Sequence, residues 1–291
     1  RRAAQRQPKP MNTPLRLGIS TCPNDTFAFH ALMHGQIDTD GFDFKVELMD
    51  VEELNEGMAA GRFDVAKMSY HAMLLQAPQL RLLSAGSALG FGVGPVVLAR
   101  AGFGADRPQT PRVLSPGKLT TAALLWELFL AKQHPGAKLD HVVFSDIMPA
   151  LEQSNADLGI CIHEGRFTWQ ESGLELAEDL GARWEAETKS PLPLGGIAAA
   201  RSLDMETAQR LARVVRASVT WGMANREACL PTMARYAQEH TDEVLWSHVD
   251  LYVNAWTQDL GAKGRAAIHA LNRLGVARGL TPEGGLELAQ A

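Results

Sequence analysis

No run of apolar residues in this chain approaches the length that crosses a bilayer, so no membrane partner is expected. Residues 1–10 are polar and basic but lead into no apolar segment, which fits neither a secretory signal nor an anchor. Residues 1–12 read as a disordered extension around Met11. Cysteine is scarce. Cys22, Cys161 and Cys229 are odd in number and far apart, which suits neither a disulfide framework nor a zinc knuckle and points to a reducing, cytoplasmic setting. Basic charge is not in excess: 28 Lys and Arg against 33 Asp and Glu give a net charge of -5, with no footprint for nucleic acid. Two motif-like pieces fail on context. Gly90-Phe91-Gly92-Val93-Gly94 precedes a strand instead of joining strand to helix, so it reads as a turn near a hinge rather than a dinucleotide loop. His30 and His34 stand one helical turn apart, but a zincin needs Glu after the first His, where Ala31 stands. No metal site is expected.

What the chain does hold is length and alternation. At 291 residues, 46% of them hydrophobic and 21% charged, it has enough core for one large or two medium soluble α/β domains. Phe42, Phe44, Val46 and Leu48 alternate with Asp43, Lys45 and Glu47, the period of a strand with one buried face. Asp50 and Glu53 form a capping box for a helix that ends at Gly61. Further strands are predicted at 15–19, 63–69, 80–85, 95–99, 112–115, 141–144, 157–162 and 194–200, and helices at 122–132, 147–153 and over most of the chain after Asp204. Such alternation implies mostly parallel sheets with ligands at the carboxyl ends of the strands. Residues 102–111, rich in Gly, Pro and charge, mark a crossover. Residues 13–100 with 199–291 are then the first lobe and 101–198 the second, around a central cleft. The apolar helices after Asp204 have two outlets, the first lobe or a second copy in a homodimer.

Several segments converge on that cleft. In Thr21-Cys22-Pro23-Asn24-Asp25-Thr26-Phe27, Pro23 stops a strand and Asn24 or Asp25 can cap the next helix. Backbone N–H groups at such a start favour a carboxylate or phosphate, although an ordinary capped turn fits the same residues. Lys67-Met68-Ser69 ends a strand and Thr120-Thr121 opens a helix; a strand edge and a helix cap are their plain readings, and donors across a cleft their functional one. His163 follows the apolar strand Leu158-Gly159-Ile160-Cys161-Ile162 and starts His163-Glu164-Gly165-Arg166-Phe167-Thr168. A lone His is more often a structural hydrogen-bonder, yet this one stands where an α/β cleft opens, and histidine as a residue type suits a general base because its unperturbed pKa lies near neutrality. Glu164 can orient it or face solvent; Arg166 can pair a substrate carboxylate or neutralise Glu164.

Together, Cys22-Pro23-Asn24-Asp25-Thr26-Phe27, Lys67-Met68-Ser69-Tyr70, Gly92-Val93-Gly94-Pro95, Thr120-Thr121-Ala122, the His163 segment and Leu192-Pro193-Leu194-Gly195 resemble the 1,4-dihydroxy-6-naphthoate synthase family of menaquinone biosynthesis by the futalosine route. The resemblance runs over residues 15–274. It implies an α/β, two-lobe type II periplasmic-binding-protein-like fold, and the Glu53-Leu54-Asn55 to Gly61-Arg62-Phe63-Asp64-Val65 stretch is typical of its first lobe. It also implies His163 as proton acceptor, with Lys67, Met68, Ser69, Thr120 and Thr121 on the substrate, and no cofactor. Asn24, Asp25, Thr26 and Arg166 join them as candidate contacts to a small molecule carrying a carboxylate. The chain departs from the family at Trp169, where Tyr is expected. Chorismate dehydratase of the same pathway and a non-catalytic solute-binding protein are the alternatives.

Overall fold

The computed structural model describes residues 13–105, 107–163, 165–237 and 241–291; the expected extension over 1–12 and Glu164 lie outside them. Twelve strands are described: β1 (Leu15–Ser20), β2 (Phe44–Met49), β3 (Val65–Ser69), β4 (Leu80–Leu83), β5 (Ala88–Gly90), β6 (Val96–Ala99), β7 (Arg112–Ser115), β8 (Lys138–His141), β9 (Leu158–Cys161), β10 (Glu175–Asp179), β11 (Leu192–Ala200) and β12 (Glu287–Ala289). They form a seven-stranded sheet, order β12-β4-β11-β3-β1-β2 with β5 on β11, and a five-stranded sheet, order β10-β6-β9-β7-β8.

The sheets are mixed, which corrects the expectation of mostly parallel pairing. β1 pairs parallel with β2 and β3, and β7 with β8 and β9, but β11 runs antiparallel to β3, β4 and β5, and β6 to β9 and β10. The reversed strands are those at the two crossings between sheets. The chain leaves the first sheet after β5 and enters the second at β6, so Val96–Ala99 belongs to the second lobe and not the first. It returns at Leu192, before the expected 199. Residues 102–111 instead join β6 to β7 within the second lobe, because Gly and Pro mark a loop without saying what it connects. β8 lies at Lys138–His141, where Lys138 pairs with Arg112, rather than at 141–144. β5, β10, β12 and the helix Leu180–Thr188 were not legible in the pattern.

β1 lies between β2 and β3 and, Arg16 aside, is buried on both faces, as a strand covered on each side must be. The helix that follows, Pro23–Met33, starts at Pro23 with Cys22 as its N-cap, and neither Asn24 nor Asp25 caps it. Proline without an N–H and with a fixed φ suits the first helical position, which moves both polar side chains into the first turn. Every residue of this helix except Met33 is buried. An amphipathic face is absent because the helices Met205–Ala224, Arg226–Tyr236 and Asp242–Tyr252 enclose it. The Asp50–Glu53 capping box forms as expected.

The first crossing is packed, not loose. Gly94 has φ +120, and a Cβ there would stand 2.6 Å from Leu192 Cδ2. A Cβ on Gly181 would run into the carbonyl oxygen of Val93. Backbone therefore lies against backbone where the lobes join, and Gly181→Ala should cost about 1–3 kcal/mol through overpacking. Urea denaturation checks this; an unchanged midpoint would mean the crossing has room to shift.

Candidate active site

The carboxyl ends of β1, β3 and β9 meet the amino ends of the reversed strands β6 and β11 around one cavity of about 680 Å³, counted to its mouth. Its floor and walls include Asn24, Asp25, Lys67, Met68, Ser69, Thr120, Thr121 and His163, so eight of the ten residues singled out from sequence line one space. The other two do not. Thr26 donates its hydroxyl to the Cys22 carbonyl at 3.1 Å, back along its own helix. Arg166 donates to the Gly94 carbonyl at 3.0 Å and to Asp179 at 2.9 Å, so it clamps the crossing to the second lobe instead of reaching the cavity.

The first wall is built around Asp25. Its Oδ1 accepts from Lys67 Nζ at 2.5 Å and Asn24 Nδ2 at 2.9 Å, and its Oδ2 from Ser20 Oγ at 2.6 Å. The Asp25 and Lys67 side chains are only 4% and 7% exposed, so the pair is formed out of water. Asn24 Oδ1 in turn accepts from His248 Nε2 at 2.9 Å, which fixes the tautomer of a second imidazole. The ion pair neutralises the ammonium locally but occupies one of its three N–H groups.

The second wall carries His163. It follows β9 with φ +55, a left-handed conformation that costs a non-glycine residue about 1–3 kcal/mol and concentrates at functional sites. Its ring lies edge-on to Phe144 at 4.8 Å and near-parallel to His248 at 6.0 Å between centroids. Cys22 Sγ is 3.3 Å from Nδ1 and 3.5 Å from Nε2, a contact from the first lobe to the second. Thr121 Oγ1 donates to the Leu194 carbonyl at 2.7 Å, and Thr120 accepts from the Ala123 N–H as the N-cap of Thr121–Phe129.

Sequence reasoning missed Ser20, His248 and Tyr252 as lining residues. Tyr252 is buried, which pushes its phenol far above the ordinary value and keeps it protonated. The last two sit on the helix Asp242–Tyr252, whose polar residues carry no local signal of which way the helix docks. His30 and His34 share the Thr232 hydroxyl at 2.8 and 3.0 Å, and no group of three or more potential metal ligands clusters among the described residues.

Solved structures place the architecture. The alkanesulfonate-binding protein SsuA of Xanthomonas axonopodis superposes with TM-score 0.70 at 15% identity, over 96% of this chain and 98% of that one. A crystal structure from Archaeoglobus fulgidus superposes with TM-score 0.84 at 29% identity, over 93% and 99%. The fold is thus periplasmic-binding-protein-like. A family model described as menaquinone biosynthesis matches residues 15–277. Proteins named 1,4-dihydroxy-6-naphtoate synthase from Thermus thermophilus and Streptomyces coelicolor are 42% and 41% identical, covering 91% and 92% of this chain and 95% of each relative. The chain belongs to this menaquinone-biosynthesis family. Its named relatives support an enzyme of that synthesis.

Because Lys67 and Asp25 are withdrawn from water together, removing one strands the other. Lys67→Met should cost about 3–5 kcal/mol, and adding Asp25→Asn should return part of it. Chemical denaturation of the single and double variants measures both; additive losses would show that the pair is not coupled.

Proposed function

We propose that this chain is a carbon–carbon lyase that converts cyclic dehypoxanthine futalosine to 1,4-dihydroxy-6-naphthoate in menaquinone biosynthesis, with His163 as proton acceptor. The observation that carries the reading is the placing of His163, left-handed at the end of β9, on the lobe that also bears Thr120 and Thr121, across one cavity from Lys67 and Ser69. A base on one wall and, on the other, the Lys67 ammonium and the Ser69 hydroxyl are what a polar, carboxylate-bearing substrate needs to be held while a proton leaves it. Lys67 retains donors beyond the one given to Asp25, and these meet the carboxylate.

In this scheme a ring nitrogen of His163 takes a proton from the sugar-derived part of the substrate. The electron pair released cleaves the adjacent carbon–carbon bond, and formation of the aromatic naphthoate draws the reaction forward as the three-carbon remainder departs. Tyr252, kept protonated by burial, is a neutral donor in the lining of the same cavity. The Cys22 contact holds the imidazole against the first lobe, so the base is in place when the cleft is shut. No disulfide links the three buried cysteines among the described residues, which suits a reducing cytoplasm.

Incubation with cyclic dehypoxanthine futalosine, and separately with chorismate, followed by mass spectrometry, tests the assignment. Dihydroxynaphthoate is the expected product; turnover of chorismate instead, or binding without turnover, would sink it. His163→Asn should lower kcat by about 10²–10⁴-fold without unfolding the protein, and wild-type turnover in that variant would remove the base from the scheme.

A further inference from the structure

Glu52 lies outside the cavity wall, yet it touches both lobes. It stands in the first turn of the helix Val51–Ala59, half-buried, and forms no ion pair among the described residues. Its partners are N–H groups. Oε1 accepts from the backbone of Leu119 at 2.8 Å, with the Lys118 N–H also acting on the carboxylate, and Oε2 accepts from Asn55 Nδ2 at 3.1 Å. The loop it grips is shaped to receive it. Gly117 has φ +141, and a Cβ there would stand 2.5 Å from Glu52 Cδ, so only glycine leaves room for the carboxylate.

Each partner leads directly to a hydroxyl at the cavity. Asn55, with no exposed surface, uses both ends of its amide on Ser69: Oδ1 accepts the Ser69 N–H at 2.9 Å and Nδ2 donates to Ser69 Oγ at 3.2 Å. On the other side Leu119 is followed by Thr120 and Thr121, at the start of Thr121–Phe129. Ser69 ends β3 of the first sheet, and Thr120 follows β7 of the second. We infer that Glu52 is a positioning residue whose carboxylate fixes the span between Ser69 and Thr120–Thr121 across the cleft. The kinetic consequence rests on the lyase reading; the geometry does not.

The chemistry demands two acceptors. A glutamine at this position has one carbonyl, so with that oxygen on Leu119 its amide N–H groups face Asn55 Nδ2, donor against donor. Turning the Asn55 amide relieves the clash only by taking its oxygen away from the Ser69 N–H. The exchanged pair, Glu52→Gln with Asn55→Asp, gives every group a partner again and turns the Ser69 hydroxyl from acceptor to donor. The glutamine carbonyl then accepts from Leu119, its amide donates to the aspartate, and the aspartate accepts from both Ser69 groups.

Amide hydrogen exchange over residues 117–123 and steady-state kinetics of Glu52→Gln, Asn55→Asp and the exchanged pair test this. Loss of a hydrogen bond to a charged group should speed exchange at Leu119 and raise KM by about ten- to a hundredfold in Glu52→Gln, with kcat within about threefold. The exchanged pair should recover the exchange rate at Leu119 fully and KM in part, because the Ser69 hydrogen then goes to the aspartate. Glu52→Asp, one methylene short of Leu119, should repeat the exchange effect and covers the case in which Glu52→Gln folds poorly. Wild-type exchange in Glu52→Gln, or an exchanged pair no better than the single variants, would overturn the inference. If the wild-type protein does not turn over the substrate, the lyase reading falls and the exchange experiment still decides the role of Glu52.

Discussion

A carboxylate buried at the start of a helix is the constraint around which the cleft is arranged. Asp25 leaves water, and its charge is met by the ammonium of distant Lys67, by a hydroxyl and an amide from its own strand-to-helix turn, and by the positive end of the helix that bears it. Ser20 comes from the end of β1, Lys67 from β3, and Asn24 carries the link onward to His248 on a C-terminal helix. Loss of any one partner leaves polar groups unpaired where solvent cannot reach them. The first wall is therefore specified by polar pairing as much as by apolar packing.

The second wall obeys a different rule. His163 is reached by a left-handed turn after an apolar strand, touched by Phe144 in its own lobe and by Cys22 and His248 from the other. Its surroundings are a thiol, an imidazole and an aromatic edge, with no carboxylate against it among the described residues. The hydroxyl side of the cavity is closed by backbone N–H groups gathered on Glu52.

Much of this was legible in the chain, and the failures have physical causes. Period-two alternation found β2, the capping box found its helix, and polar residues just after apolar strands marked the walls of the cleft. Local pattern does not encode strand direction, so β6 and β11 were assigned to the wrong lobe or with the wrong limits. Asn24 and Asp25 have the chemistry of caps, but Pro23 took the first helical position and moved them inward. Arg166 looked like an anion receptor because a guanidinium is one in isolation; Asp179, its partner in the fold, lies beyond the reach of a motif. His248 and Tyr252 belong to the cavity only through the docking of their helix, which is a tertiary fact.

The lining of the cavity is drawn from positions as far apart as Ser20, Lys67, Thr120, His163, Leu194 and Tyr252. The chain leaves the first sheet, builds the second, and returns to complete the first with β11 before the helix bearing His248 and Tyr252 is added. During synthesis on the ribosome His163 and its neighbours are thus spelled out long before the last wall exists. Pairings of such long sequence separation form late, after the loops that join them have closed. The pocket is consequently among the last features to appear as the polypeptide emerges, and a partly made chain carries His163 without the enclosure that surrounds it in the finished fold.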